Sequence, residues 1–295
     1  MAAFMRGFSL EATHPSAADI ETLGKVAPAG TLVYLSAVPG RPPREQIDAA
    51  VALRAAGFEP APHVAVRNFS TIEALDDFLA RLSGEAGVRR ALVIAGDRNE
   101  PAGFFHAASE AIDSGLLQRR GIVEIGIAGY PDGHPRVPQT ELERALAAKI
   151  EMAGQTGLSV HIVTQFCFAA EPVVRWLVRL RDLGLDHPVR IGLAGPTSLA
   201  NLLRYARRCG VKASAQGLAR RVMTARHMFS AATPDTIIRP LAEACADSAL
   251  GEVALHLFSF GGLVETARWA NVAAAGHVTL DGEDGFRVEA PPIIG

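Results

Sequence analysis

Residues 159–196 read SVHIVTQFCFAAEPVVRWLVRLRDLGLDHPVRIGLAGP. Two short runs in this stretch, Ser159–Phe166 (SVHIVTQF) and Pro188–Pro196 (PVRIGLAGP), are rich in Val, Ile and Leu and do not alternate strictly between apolar and polar residues. That is the pattern of strands buried on both faces, as in a parallel sheet. Between them, Pro172–Leu183 reads as a helix. The stretch is one strand–helix–strand unit.

The same unit recurs in both directions. Toward the N-terminus, strands are read at Phe8–Ala12, Thr31–Val38, Pro60–Val66, Arg90–Gly96 and Ile122–Pro131. The helices between them are Ala17–Val26, Arg44–Gly57, Thr71–Leu82, one from about Phe104, and Glu141–Gln155. Toward the C-terminus come a helix at Ser198–Arg208, a mostly helical segment over Ser214–Ala246, a strand at Glu252–Phe260 and a helix at Leu263–Gly276. Thr71 and Ser198 stand where N-caps belong. Repeated strand–helix pairs over nearly the whole chain fit a (βα)8 TIM barrel better than a doubly wound sheet. No GxGxxG fingerprint follows an early strand, which weakens a dinucleotide-fold reading. The expectation is therefore an α/β protein: one barrel domain over residues 1–295, extra helices before the last strand, and a peripheral tail over residues 277–295, poorly ordered or strapped down.

The composition is compatible with this. Of 295 residues, 49% are hydrophobic and 20% charged, enough for a large core. A net charge of −2 favours neither nucleic acid nor an anionic membrane as partner. No run of about 20 apolar residues is present to span a bilayer, and the first residues lack the apolar core of a signal peptide. Cys167, Cys209 and Cys245 are odd in number and far apart. That argues against a disulfide framework and for a reducing, cytoplasmic setting.

In a barrel of this kind, polar residues at the C-terminal ends of strands form the site. Here they are Glu11 and Thr13, Ser36, His63, Gly96 and Asp97, Tyr130 with His134, Thr164 to Phe166, Gly195 and Pro196, and Phe258 with Phe260, Gly261 and Gly262. No pair has HxH or HExxH spacing, so no metal is expected. No GxSxG elbow is present. A Schiff-base lysine is not expected either, because Lys25, Lys149 and Lys212 are not on strands.

Five of these segments carry a resemblance. FSLEATHP (8–15), APHVAV (61–66), LVIAGD (92–97), IAGYPDGHP (127–135) and IVTQFCF (162–168) follow one another in an order and at spacings similar to those of the methylenetetrahydrofolate reductase family. GPTSLANLLRYARRCGV (195–211) is similar more weakly. The resemblance implies reduction of methylenetetrahydrofolate by NADH or NADPH through FAD, with folate and nicotinamide dinucleotide as partners and a homo-oligomer as one possible assembly.

It also implies roles. Glu11 matches the general acid that protonates N10 of the folate; at neutral pH a carboxyl does this when partial burial raises its pKa. Asp97 matches the carboxylate that stabilises the cationic iminium. Gln165 matches the amide that reads the pterin edge, and Phe166 and Phe260 join Asp97 and Gln165 as substrate contacts. Ser36, His63, Gly96, Asp97, Tyr130, His134 and Lys149 match the flavin side.

The sequence departs from the family where Ala95 replaces an Arg, Leu35-Ser36 replaces a Thr-aromatic pair, and Leu142 and Ala145 replace polar flavin-tail positions. The phenylalanine expected after strand seven has no confident match; Gly217 and Leu218 lie nearby. Weak FAD binding is the expectation. Two alternatives stay open: a reductase that takes hydride directly from nicotinamide, and a folate-binding barrel without reductase activity. Arg204, Arg207, Arg208, Lys212, Arg220 and Arg221 read first as a solvated face and second as an anchor for a glutamate tail or phosphate.

Overall fold

The structure is a computed structural model describing residues 1–208, 231–246, 248–260 and 262–289. Eight parallel strands close into a barrel: β1 (Ser9–Ala12), β2 (Leu32–Leu35), β3 (Glu59–Ala65), β4 (Arg90–Ile94), β5 (Glu124–Gly129), β6 (Ser159–Thr164), β7 (Val189–Ala194) and β8 (Val253–Phe258). Neighbours follow chain order, and β8 closes onto β1 with Ser9 opposite His256 and Glu11 opposite Phe258. The TIM-barrel expectation is met.

Helices surround the barrel. Thr71 caps Ile72–Ala86, its Oγ1 accepting from the Ala74 N–H at 3.1 Å, and Gly87 ends that helix in the left-handed region. Ser198 likewise accepts from Asn201 N–H at 3.2 Å before Leu199–Arg208. Two expectations need correction. The helix read from Phe104 begins instead at Ala108 and is split into Ala108–Asp113 and Leu116–Arg119. Gly103 lies so close to the Ser70 carbonyl that a Cβ would come within 2.0 Å of it, so Pro101–Ala107 must run as a fitted loop. In the segment before β8, the described part is a two-residue strand at Ala231–Ala232, paired with Thr197–Ser198, and a helix at Asp235–Ala244. Cys209, Lys212, Gly217, Leu218, Arg220, Arg221 and Gly261 lie outside the described residues.

The tail is strapped down through Glu289. Val278–Asp281 and Gly285–Val288 form a hairpin whose buried Phe286 stacks on Trp269. At the other end of the chain, the short helix Ala2–Met5 buries Met5, and Arg190 reaches the Gly7 carbonyl at 3.2 Å.

Strand residues alternate between two environments. Those pointing outward, such as Leu10, Val64, Val93, Ile125, Ile162, Ile191 and Leu255, build the main apolar core against the helices. The interior has only a small apolar cluster: Leu32, Tyr34, Ala61, Leu92 and Val163. A barrel interior is usually filled by layers of branched apolar side chains. Here it also carries a polar column. Arg90 Nε donates to Glu124 at 2.6 Å, His161 Nδ1 lies 2.9 Å from the other Glu124 oxygen, and the Tyr34 hydroxyl lies 2.6 Å from His161 Nε2. With Nδ1 turned to the carboxylate as a close polar contact, Nε2 accepts from Tyr34. Gly126 is required beside it, since a Cβ there would come within 2.9 Å of His161 Nε2.

The hydrogen bond from His161 lowers the pKa of Glu124 to about 2; burial opposes the shift and Arg90 adds to it. A carboxylate with a lowered folded-state pKa contributes stability above its ordinary pKa and loses it as pH falls toward 2. Glu124→Gln should therefore be less stable than the parent at pH 7, and the gap should close progressively as pH is lowered from about 4.5 toward 2. Urea unfolding across that range measures it; a pH-independent gap would remove Glu124 from the column.

Candidate active site

Glu11 ends β1 pointing into the barrel mouth, and four side chains surround it. Ser36 Oγ donates to Glu11 Oε1 at 2.7 Å. Thr13 Oγ1 stands 3.0 Å from Ser36 Oγ and, since the Ser36 hydrogen is committed to Glu11, Thr13 is the donor. Glu11 Oε2 faces two imidazoles, with His63 Nε2 at 3.4 Å and His256 Nε2 at 3.3 Å. His256 is fully buried, and its Nδ1 is 3.0 Å from Ser9 Oγ. The assignment with fewest buried charges has Ser9 donating to Nδ1 and a neutral His256 donating from Nε2 to Glu11. Burial does push the His256 pKa down, against the pull of Glu11.

The carboxyl differs from its sequence reading in one respect. Burial pushes Glu11 up, as expected, but the charge of His63 and hydrogen bonds from His256 and His63 outweigh it and hold the group below the usual carboxylate range. Glu11 alone is therefore not a stored proton. Glu11 and the two imidazoles facing its Oε2 form one packed unit.

This environment also redistributes the expected flavin-side residues. Ser36 and His63 are turned to the acid, and Gln46 pins the strand ends that carry them by donating to the Leu35 and His63 carbonyls at 2.7 and 3.1 Å. Gly96, Asp97, Tyr130 and His134 gather at the ends of β4 and β5, across the closed strand order from β1. Tyr130 and His134 pack ring edge to face at 5.3 Å, and burial with the nearby Asp97 charge raises the Tyr130 pKa. Gly96 has φ +93°, and a Cβ there would meet Ala65 Cβ at 3.0 Å, so the Gly-Asp turn is held against β3. Lys149 is not at this rim. It sits roughly 15 Å down the helix Gln139–Gln155 from its rim end, half-buried, with its pKa lowered by burial.

Gln165 stands at the end of β6 with its side-chain carbonyl folded back to accept from the Phe166 N–H at 3.0 Å. Phe166 is 1% exposed and cannot meet a substrate directly; it supports Phe258 and Phe260, whose rings lie 5.6 and 5.1 Å away. Phe260 in turn stacks on Tyr205 at 4.0 Å. A cleft of about 330 Å³ opens above Glu11, lined by Thr13, His14, Tyr205, Phe258 and Phe260. His14 holds a left-handed backbone (φ +57°), anchored by Glu45 at 2.5 Å, the kind of strain that collects at functional rims. Sequence reasoning missed Ser9, His256 and Tyr205. The available signal was a His and a Ser at inward positions of otherwise apolar strands.

A family model described as methylenetetrahydrofolate reductase matches residues 17–237, most of the chain. The chain belongs to the methylenetetrahydrofolate reductase family. Among the family's proteins, methylenetetrahydrofolate reductase 2 of Saccharomyces cerevisiae is 28% identical over 160 residues, covering 51% of this chain and 26% of the yeast protein. The 5,10-methylenetetrahydrofolate reductase of Pectobacterium carotovorum is 25% identical over 157 residues, covering 53% of this chain and 50% of that protein. The matches thus span a half or less of these relatives. Among solved structures, an uncharacterized Clostridium thermocellum protein that binds two copies of 5-methyl-5,6,7,8-tetrahydrofolic acid superposes with a TM-score of 0.58 at 13% identity, covering 90% of this chain and 93% of that one. Dihydropteroate synthase from Thermus thermophilus gives 0.50 at 16%, covering 91% and 92%. These two likenesses show the shared barrel fold.

Replacing His256 with Leu removes a donor to Glu11 while keeping the site buried, so the Glu11 pKa should rise. A carboxyl-13C NMR titration of glutamate-labelled protein reads this directly. An unchanged Glu11 titration would reduce His256 to packing.

Proposed function

We propose that this family member reduces 5,10-methylenetetrahydrofolate to 5-methyltetrahydrofolate with hydride from NADH or NADPH by way of FAD. The observation that carries the reading is a carboxylate in the barrel mouth, oriented by Ser36 and two imidazoles and opening on a cleft walled by aromatic rings. Ring opening of the substrate needs a proton at N10. Glu11 takes up a proton from solvent through the open cleft, with His63 and His256 set against Oε2 to hold the carboxyl in place, and delivers it to N10. The bond from the bridging carbon to N10 then breaks with its electron pair going to nitrogen, leaving a cationic 5-iminium ion. Asp97, at the end of β4, would stabilise that charge. Hydride addition to the exocyclic carbon gives the methyl group. The NH2 of Gln165 serves the pterin edge, while Phe258 and Phe260 provide stacking faces.

FAD fits this chain with few partners. Lys149 is a half-buried cation with no carboxylate partner among the described residues, and Leu142, Ala145 and Lys149 share a helix face at spacings of three and four. A diphosphate reaching Lys149 would run down the outside of the barrel and meet one cation and no hydrogen bond from positions 142 and 145. Gly96, Asp97, Tyr130 and His134 would hold the ring system, which when bound supplies the two-electron hydride chemistry. Each missing hydrogen bond to a charged phosphate removes roughly 1.5–3 kcal/mol, about tenfold to a hundredfold in affinity. The engagement of Ser36 and His63 with Glu11 favours one second reading, in which nicotinamide delivers hydride directly. The unpaired thiols of Cys167 and Cys245 agree with a cytoplasmic setting for either.

Glu11→Gln keeps size and removes the proton donor. Folate reduction should fall about 10²–10⁴-fold, while NADH oxidation by an artificial acceptor survives; equal loss of both would make Glu11 structural. Titrated FAD should lose fluorescence on binding and raise the Tm by mass action. If saturating FAD does neither while NADH-dependent folate reduction proceeds, direct hydride transfer replaces the flavin route.

A further inference from the structure

By strand alternation each of the eight strands carries at least one ionisable residue at an inward position: Glu11, Tyr34, Glu59 and His63 on β3, Arg90, Glu124, His161, Arg190 and His256. They form an upper group around Glu11 and a lower column ending at Arg90. Tyr34 stands between the two. It is fully buried and neighbours Glu11 in the β1–β2 register. Its ring meets His256 edge to face at 4.8 Å and 77°, and His63 at 6.3 Å and 69°. Its hydroxyl is fixed 2.6 Å from His161, which is fixed to Glu124 and through it to Arg90.

We infer that Tyr34 is a positioning residue for proton delivery, a pillar anchored in the lower column whose ring holds His63 and His256 against Glu11. The inference rests on reading Glu11 as the acid. Packing alone does not account for a tyrosine here. A phenylalanine would fill the same space, and a buried hydroxyl costs stability unless it finds a partner. The partner found, His161, is itself paired with Glu124, which Arg90 holds in turn, so the ring is tethered at its far end. The imidazoles above need that support. His256 has Ser9 on one nitrogen and Glu11 on the other, and rotation about its side-chain bond would break both contacts. His63 directs Nε2 at Glu11 from 3.4 Å, a contact too long to fix the ring by itself. The groups facing Tyr34 are Glu11 on β1, His63 on β3, Arg90 on β4, Glu124 on β5, His161 on β6, Arg190 on β7 and His256 on β8.

Tyr34→Phe tests this, because it retains the ring and cuts the anchor. The kcat for folate reduction should fall about tenfold to a hundredfold, the scale of small misplacements, with KM for folate little changed. The pH above which the rate declines should move, since the Glu11–imidazole unit is no longer held in one geometry. NADH oxidation by an artificial acceptor should be unaffected. Independently of turnover, side-chain 15N resonances of His256 and His63 should broaden or shift in the variant. Tyr34→Leu, which removes the ring as well, should lose more. Wild-type kcat, pH profile and histidine resonances in Tyr34→Phe would overturn the inference. So would a fall in Tm with both half-reactions reduced alike and the pH profile unmoved, which marks a purely structural tyrosine. Glu11→Gln run alongside separates the two readings: if it keeps folate reduction, the acid assignment fails whatever Tyr34 does; if it abolishes reduction and Tyr34→Phe is silent, only the pillar fails.

Discussion

A carboxylate inside a barrel is the constraint around which this molecule is arranged. Taken out of water without partners, Glu11 would become protonated or would destabilise the fold. It is kept ionised by Ser36 and two imidazoles, and each partner imposes requirements of its own. His256 needs Ser9 behind it. His63 needs its strand end held, which Gln46 does from the helix before β3. Both rings need a floor, which Tyr34 provides. Tyr34 needs an acceptor, and the sequence of requirements continues through His161 and Glu124 to Arg90. A barrel that is normally filled by aliphatic layers is filled here in part by a polar network that runs from one member to the next.

This network explains why the acid is better regarded as a unit than as one residue. A lone buried carboxyl with a raised pKa would hold its own proton. Glu11 has the burial but also imidazole neighbours whose charge and hydrogen bonds lower it. Water exclusion by a bound pterin would strengthen every contact in the unit.

Much of the fold was legible because it depends on local pattern. The apolar runs ending in Glu11, Ala65, Ile94 and Thr164 are strands wherever the chain places them, and Thr71 and Ser198 cap helices through bonds to their own neighbours. The helix misread at Phe104 depended on a contact distant in sequence, Gly103 against Ser70. The site divided in the same way. Glu11, Asp97, Tyr130, His134 and Gln165 stand at strand ends, where position alone marks them. His256 and Ser9 do not, because a polar residue within an apolar strand gains meaning only when closure brings β8 beside β1. Phe166 was visible as an aromatic at a strand end, but its burial behind Phe258 and Phe260 was not. Lys149 was visible as a basic residue on the right helix, while its distance from the rim follows from the direction in which that helix runs.

The most direct test of the account is the amount of 5-methyltetrahydrofolate formed by the purified chain from 5,10-methylenetetrahydrofolate, NAD(P)H and FAD across a range of pH. The account predicts one methyl group formed per NAD(P)H oxidised, with the rate falling as rising pH strips the proton from the Glu11–imidazole unit. Folate that binds in the aromatic cleft but yields no methyl product at any pH, with NADH or NADPH and with or without FAD, would contradict it.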